Sequence, residues 1–192
     1  MTELIIGLLL FLGAHSVRVF ADDWRTARIA AIGAPGWKLL YSLVSIAGLA
    51  SIIHGYGLAR LSPIDLWAPP VAMRHLASLL TLGAFVLIAA AYVPRNRIKA
   101  AIGHPMVAGV KLWALAHLLS NGRLADVVLF GTFLVWAVLD FRAARARDRR
   151  AGSRPPAGRL AGDAIVIVSG MGAWAVFAFW LHGLLIGVRP FG

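Results

Sequence analysis

The sequence contains no cysteine, and this absence excludes several kinds of site. Without thiols the chain cannot form a disulfide, hold an iron–sulfur cluster, use a thiolate nucleophile or attach c-type haem through a C-x-x-C-H motif. Carboxylates are also scarce, with 8 Asp and Glu against 19 Lys and Arg, and there is no H-E-x-x-H motif. A zinc protease or a di-iron site therefore lacks its usual ligands.

Charge of either sign is rare for a chain of 192 residues. Charged residues make up 14% of the sequence, hydrophobic residues make up 60%, and the mean hydropathy is +0.79, whereas soluble domains contain about 25% charged residues. This composition predicts a polytopic membrane protein whose main partner is the lipid bilayer. The basic residues cluster between apolar runs, which is typical of topology signals and argues against a nucleic-acid partner.

Six apolar segments are long enough, or nearly long enough, to span a membrane as helices. They predict an all-α, single-domain bundle over residues 1–192, with an uncleaved first helix because the start lacks a basic region and a cleavage site. The predicted spans are 4–20, 37–58, 70–93, 105–120, 124–141 and 163–188.

The distribution of Lys and Arg predicts the orientation of this bundle. The first, third and fifth connections and their edges carry 14 basic residues, against 4 on the other side. The positive-inside rule then places both termini in the periplasm of a bacterial inner membrane. The arginine-rich connection 142–162 is predicted to be flexible and cytoplasmic, where it anchors the topology next to anionic lipid.

The six histidines all lie within the apolar segments or at their borders: His15, His54, His75, His104, His117 and His182. An ionisable side chain within a membrane is costly, so it is a functional hypothesis by default. The ordinary alternative is a neutral imidazole that hydrogen bonds to a neighbouring helix or lies at the interface. As a set, the histidines favour b-type haem, which needs neutral imidazoles from facing helices, an apolar slot and cations for its propionates.

Two of these histidines have neighbours that suit a large planar cofactor. Trp113 precedes His117 by one turn and shares its face, and Arg18 follows His15 by three residues, where it could pair with a propionate. Small residues next to the two histidines leave room for a ring: Gly13, Ala14, Ala114 and Ala116.

His104 and His117 belong to the same predicted span but cannot bind the same iron. Their spacing puts them about 20 Å apart along the helix and about 140° apart around it. Each therefore needs a partner from another helix. Lys111 shares the face of His104 and either extends to the headgroups or pairs with a propionate or an anionic substrate, so that the two form an inner polar site.

Three stretches of the chain resemble the NnrU family, whose plant relatives are the 15-cis-zeta-carotene isomerases (Z-ISO). They are GAHSVR at 13–18, LWAPP at 66–70 and GHPMVAGVKLWALAHLLSNG at 103–122. The resemblance implies a haem-b membrane protein with His15 and His117 as axial ligands and His54 as the third candidate. Among the remaining histidines, His104 is the next candidate. It also implies a redox-linked role in denitrification or nitric oxide metabolism, or isomerase-like chemistry on a lipophilic substrate.

One departure from that family limits the carry-over. The isomerases have a cysteine three residues before the second ligand, where this chain has Ala114. A switch to thiolate ligation is therefore impossible here, and carotene isomerisation is not carried over intact. Whether the protein is an enzyme stays open at this point.

Two other classes of function remain as alternatives. The stretch GHPMVAG at 103–109 resembles the R-H-P-x-Y-x-G element of integral membrane methyltransferases that use S-adenosylmethionine, but Gly103 replaces the arginine, and Asp140 and Asp148 stand where those enzymes have a Glu-Glu pair. The third class is a non-catalytic haem protein that transfers electrons to a redox partner, senses a small gaseous ligand or assists assembly.

Overall fold

A computed structural model describes residues 1–153 and 156–191, and these residues form a bundle of helices. Five helices are long and apolar enough to cross a membrane, and a sixth apolar helix is shorter, which confirms the predicted all-α membrane fold. The elements are α1 (Thr2–Phe20), α2 (Asp22–Leu61), α3 (Val71–Tyr92), α4 (Arg97–Ile102), α5 (Pro105–Ser120), α6 (Leu124–Arg150), α7 (Leu160–Val176), a π-helical turn (Phe177–Leu181) and α8 (His182–Ile186).

The first two helices form a closely packed hairpin because glycines line their contact. A Cβ atom added to Gly48 would lie 2.7 Å from the backbone nitrogen of Phe11, and one added to Gly7 would lie 2.5 Å from that of Ile52. Such small residues let two helix backbones approach in an apolar solvent, where packing rather than the hydrophobic effect drives association. The hairpin therefore holds α1, and with it His15, at a fixed register on α2.

A second group of helices consists of α3, α5 and α7, with α3 in the middle. Glycines again mark the close contacts, since Gly109 of α5 lies against the backbone of Ala84 and Gly170 of α7 lies against that of Val86. α6 packs on both α1 and α5, whereas α1 and α5 share no backbone contact in the described ranges. α6 is thus the element that joins the hairpin to the second group.

Two helices extend further than the apolar segments predicted. α2 begins at Asp22 instead of residue 37 and bends at Gly33, which has φ 75° and ψ 158° and is followed by Pro35. α6 continues from the predicted end at residue 141 to Arg150. Because arginine and alanine favour helix, a helix can continue beyond its apolar, membrane-spanning part.

The connection between α6 and α7 is shorter and more structured than the predicted flexible loop over 142–162. Residues 142–150 and 160–162 are helical, and the backbone nitrogen of Arg159 donates a hydrogen bond to the carbonyl oxygen of Arg95 at 2.7 Å. Asp163 accepts a 2.6 Å hydrogen bond from the nitrogen of Arg97 at the start of α4. Arg154, one of the basic residues of this connection, lies outside the described residues.

Candidate functional site

An aromatic layer lies between α1 and α5, and it is formed by Phe11 of α1, Trp113 of α5 and three residues of α6: Phe130, Phe133 and Trp136. The α6 members are spaced by three, so each successive side chain is rotated by about 60° around the helix, from α5 towards α1. Trp113 lies 5.1 Å and 5.5 Å from the rings of Phe130 and Phe133, and Phe11 lies 5.9 Å from that of Phe133. The layer therefore links the two helices that carry the leading histidine candidates.

His15 lies at one side of the aromatic layer and is partly buried. Its ring stacks on that of Phe11 at 4.2 Å and meets that of Trp136 edge-on at 5.9 Å. Tyr41 of α2 lies 5.1 Å away on the remaining side. The Nδ1 atom is 2.7 Å from the carbonyl oxygen of Phe11, one turn earlier on the same helix.

His117 lies at the other side of the layer and has a similar environment. It stacks on Phe130 at 4.5 Å, with an angle of 25° between the rings, and lies 5.2 Å from the ring of Trp113. Its Nδ1 atom is 2.9 Å from the carbonyl oxygen of Trp113, again one turn earlier. Each histidine thus has an aromatic ring on its face and a backbone carbonyl at Nδ1.

These carbonyl contacts fix the protonation of the two imidazoles. A carbonyl oxygen only accepts, so Nδ1 of His15 and of His117 must carry the proton and donate it. The neutral ring then has its lone pair at Nε2, and this atom has no hydrogen-bonding partner among the described residues in either case. A donated Nδ1–H with a free Nε2 is the usual arrangement of a metal-binding histidine.

The structure places His15 and His117 on the same aromatic layer but not in contact with each other. His117 contacts Phe130 and His15 contacts Trp136, and these positions are about 9 Å apart along α6 by the helical rise. No hydrogen bond or ring contact joins the two histidines within the described ranges. The sequence assigned neither histidine a partner on α6, although the spacing of its aromatic residues by three was a visible signal.

His54 and His75 lie away from the aromatic layer. His54 is exposed, and its Nε2 atom is 3.3 Å from the carboxylate of Glu3. His75 is also exposed, on α3. His182 resembles the two layer histidines in one respect, because its Nδ1 atom faces the carbonyl oxygen of Val188 at 2.7 Å. His54 as a third iron ligand stays a prediction.

His104 and Lys111 are brought together by α6, through Phe141 and Asp148. The Nε2 atom of His104 is 2.8 Å from Asp148, and its ring meets that of Phe141 edge-on at 6.3 Å. The Lys111 ammonium lies 3.7 Å from the centroid of the same Phe141 ring. This cation–π contact offsets part of the cost of placing Lys111 within the bundle. Neither Asp148 nor Phe141 was part of the predicted inner polar site.

The remaining predicted site residues have clear places in the bundle. Arg18 is exposed in the last turn of α1, and its carbonyl oxygen accepts a 3.4 Å hydrogen bond from Arg147. Ala114 of α5 is completely buried, three residues before His117. Among the described residues, no group of three or more His, Asp and Glu side chains is arranged to hold a metal ion by itself.

The fold and the site define a class, a polytopic helical membrane protein with histidines inside its bundle. The chain belongs to the NnrU family, because a family model described as NnrU protein matches residues 3–190. No curated protein and no solved structure is similar enough to be matched.

Proposed function

We propose that this membrane protein binds b-type haem, with His15 and His117 as the iron ligands. The observation that carries the proposal is the shared state of the two imidazoles. Each donates Nδ1–H to the carbonyl one turn earlier and keeps Nε2 free, on the same aromatic layer. An Nδ1–H bound to a carbonyl orients the ring and makes Nε2 a stronger base, which favours iron binding.

The surroundings of the two histidines fit a flat apolar cofactor. α1 and α5 share no backbone contact in the described part of the chain, and the side chains of the aromatic layer between them present ring faces rather than polar groups. The rings of Trp113 and Phe130 contact that of His117. Arg18 and Arg147 lie together at the end of α1 that carries His15, where the Arg147 side chain donates a hydrogen bond to the carbonyl oxygen of Arg18. When bound, haem b supplies an iron centre that changes oxidation state or takes a small ligand.

The role of that iron is proposed as redox-linked, in denitrification, nitric oxide metabolism or isomerase-like chemistry on a lipophilic substrate. A haem iron whose two histidine ligands both stay bound suits the alternative of electron transfer. An iron that can exchange one histidine for a small ligand suits gas sensing or catalysis. Carbon monoxide added to the reduced protein separates these possibilities. Binding of one carbon monoxide per haem supports an exchangeable histidine ligand, and failure of carbon monoxide to bind supports electron transfer.

The test of haem binding is the visible spectrum of detergent-purified protein, oxidised and then reduced with dithionite. Wild type is expected to show a Soret band and sharp α and β bands, and His15→Ala and His117→Ala are each expected to lose or shift them. The matched control is His75→Ala, which removes an exposed histidine away from the layer and is expected to keep the wild-type spectrum.

A wild-type protein that stays colourless and takes up no added haem would contradict the proposal. Binding of S-adenosylmethionine would then be measured next. In that alternative, His104 of the GHPMVAG stretch is already paired with Asp148 at 2.8 Å, so the Asp148→Asn variant would be expected to change S-adenosylmethionine binding.

A further inference from the structure

The connection between the first two membrane-spanning helices is itself helical. α1 ends at Phe20, and Ala21 interrupts the helix with a non-helical backbone conformation. Residues 22–32, here called the connecting helix, form the first part of α2, up to the bend at Gly33. This helix is about three turns long. Four charged side chains keep it out of the hydrocarbon core of a bilayer: Asp22, Asp23, Arg25 and Arg28.

The connecting helix lies at the level where the two spans end. In the antiparallel hairpin, Gly48 of α2 lies against Phe11 of α1. Equal steps along both helices from this contact bring Phe20, the end of α1, level with the residues that follow the bend. The ring of Trp24 in the connecting helix lies 6.0 Å from that of Trp37, just after the bend. Because tryptophan favours the membrane–water interface, this level is expected to be the bilayer surface.

Acidic and apolar residues occupy opposite sides of the connecting helix. Its apolar side is formed by four residues: Trp24, Ala27, Ala31 and Ile32. At 100° per residue these four lie within about 140° of arc, whereas Asp22, Asp23 and Thr26 lie within about 100°. The centres of the two groups are about 150° apart. Arg28 falls within the apolar side and Arg25 lies next to it, so positive charge accompanies the apolar residues.

The apolar side is exposed on the surface of the protein. Trp24 and Ile32 expose 53% and 49% of their surface, and the two alanines are exposed as well. The guanidinium carbon of Arg28 lies 5.9 Å from the centre of the Trp24 ring, so the cation and the indole share one surface. Exposed tryptophan beside arginine, on a helix that joins two spans, is typical of a helix in the membrane interface. Arginine also binds phosphate groups through several donors at once, which favours anionic lipid.

We propose that the connecting helix lies in the bilayer surface and binds anionic phospholipid at the arginine-rich end of the bundle. Its apolar side enters the boundary between headgroups and acyl chains. Arg25 and Arg28 extend to the lipid phosphates, and Asp22 and Asp23 face water. The proposal does not depend on the haem proposed for the aromatic layer.

Spin labels on single cysteines test this placement in the intact protein, because the natural chain has no thiol. Ala27→Cys and Ala31→Cys label the apolar side, and Asp23→Cys and Thr26→Cys label the opposite side, all at exposed positions. The protein is reconstituted in bilayers that contain phosphatidylglycerol. Labels on the apolar side are expected to collide more often with oxygen, which concentrates among acyl chains. Labels on the opposite side are expected to collide more often with a water-soluble nickel chelate.

Bilayers of phosphatidylcholine alone test the preference for anionic lipid, and there the contrast between the two sides is expected to be smaller. Arg28→Gln is the informative variant, because Arg25 already pairs with Asp22 at 3.0 Å. It is expected to need up to about 5-fold more phosphatidylglycerol for half of the change at Ala31→Cys, the factor that one arginine contributes at an anionic surface. The matched control is Arg74→Gln, which removes an exposed arginine at the opposite end and is expected to change nothing there.

Three results would overturn the proposal. Equal access of both reagents at all four labels would mean that the connecting helix lies in water. Protection of the apolar side from both reagents would mean that another protein chain covers it. A contrast that is the same with and without phosphatidylglycerol would remove the preference for anionic lipid.

Discussion

At the scale of single residues, the histidines differ in which ring nitrogen has a partner and in what that partner is. His15 and His117 have Nδ1 bound by a carbonyl of their own helix, whereas His54 and His104 have Nε2 next to a carboxylate. The first pair keeps a free lone pair for a metal, and the second pair offers its outer nitrogen to an acid. Six residues of one type therefore divide into at least two chemical kinds, which spacing in the sequence does not reveal.

A buried carboxylate gives a residue-scale prediction for stability. Asp126 at the start of α6 is 5% exposed and accepts hydrogen bonds from the Tyr56 hydroxyl at 2.5 Å and from the backbone nitrogen of Arg123 at 3.2 Å. Tyr56→Phe removes the hydroxyl and leaves the carboxylate short of a partner, which is expected to lower the free energy of unfolding by about 1–3 kcal/mol. Unfolding in mixed detergent micelles measures it.

The matched control for this change is Tyr92→Phe. Tyr92 ends α3 with 74% of its surface exposed, so its hydroxyl is expected to contribute little, within about 0.5 kcal/mol. Equal stability of the two variants would show that the Tyr56–Asp126 hydrogen bond is not important for the fold.

At the scale of helices, glycine positions determine which elements touch. The α1–α2 hairpin depends on close backbone contact at Gly7, Gly48 and Gly55, and α5 and α7 meet α3 at Gly109 and Gly170 in the same way. The hairpin contact also sets the position of the candidate site, because Gly48 lies against Phe11, the residue that stacks on His15. Helix packing and the site are thus coupled through one residue.

This coupling predicts the effect of a single added methyl group. In Gly48→Ala the new Cβ would lie 2.7 Å from the Phe11 nitrogen, so the backbones must separate, at an expected cost of about 1–3 kcal/mol. If the protein binds haem as proposed, the same variant is expected to change its visible spectrum through Phe11 and His15. Unfolding in detergent and the visible spectrum measure the two effects.

Gly57→Ala is the control on the same helix, since an added Cβ there meets nothing within 4 Å. It is expected to keep its spectrum and to gain up to about 1 kcal/mol, because alanine favours helix more than glycine. A Gly48→Ala protein as stable as wild type would contradict the role given to this contact.

Particular elements show how far the sequence could predict this fold and where it could not. The span at 105–120 matches α5 because Pro105 begins it and Asn121-Gly122 ends it, and both signals are local. The start of α2 was missed because Arg25 and Arg28 lower the hydropathy of a segment that is still helical. Local patterns cannot indicate the aromatic partners of His15 and His117 on α6, because those contacts depend on how separate helices pack.

At the scale of the whole molecule, charge is divided between the two ends of the bundle. The end formed by residues 21–32, 93–104, 142–153 and 156–162 carries most of the basic residues, and the opposite end contains Arg60, Arg74, Arg123 and Arg189. Under the positive-inside rule the first end faces the cytoplasm. This orientation is a prediction that the absence of cysteine makes simple to test.

Two single-cysteine variants test the orientation in intact bacteria. Ser62→Cys places a thiol in the exposed connection after α2, and Ser153→Cys places one after α6. Because the natural chain has no thiol, each variant has one site for a membrane-impermeant maleimide. Labelling of Ser62→Cys in intact cells and of Ser153→Cys only after lysis is expected, and the reverse pattern would invert the topology.

The position of α6 also bears on the order of events during synthesis. The α1–α2 hairpin consists of neighbouring segments and is ready to associate as soon as both have left the ribosome. The aromatic layer cannot assemble around His15 until α5 and α6 have been made, and these helices begin only at Pro105 and Leu124. If the protein binds haem as proposed, the cofactor is expected to be loaded late in biogenesis, and nascent chains halted before Trp136 should be unable to retain it.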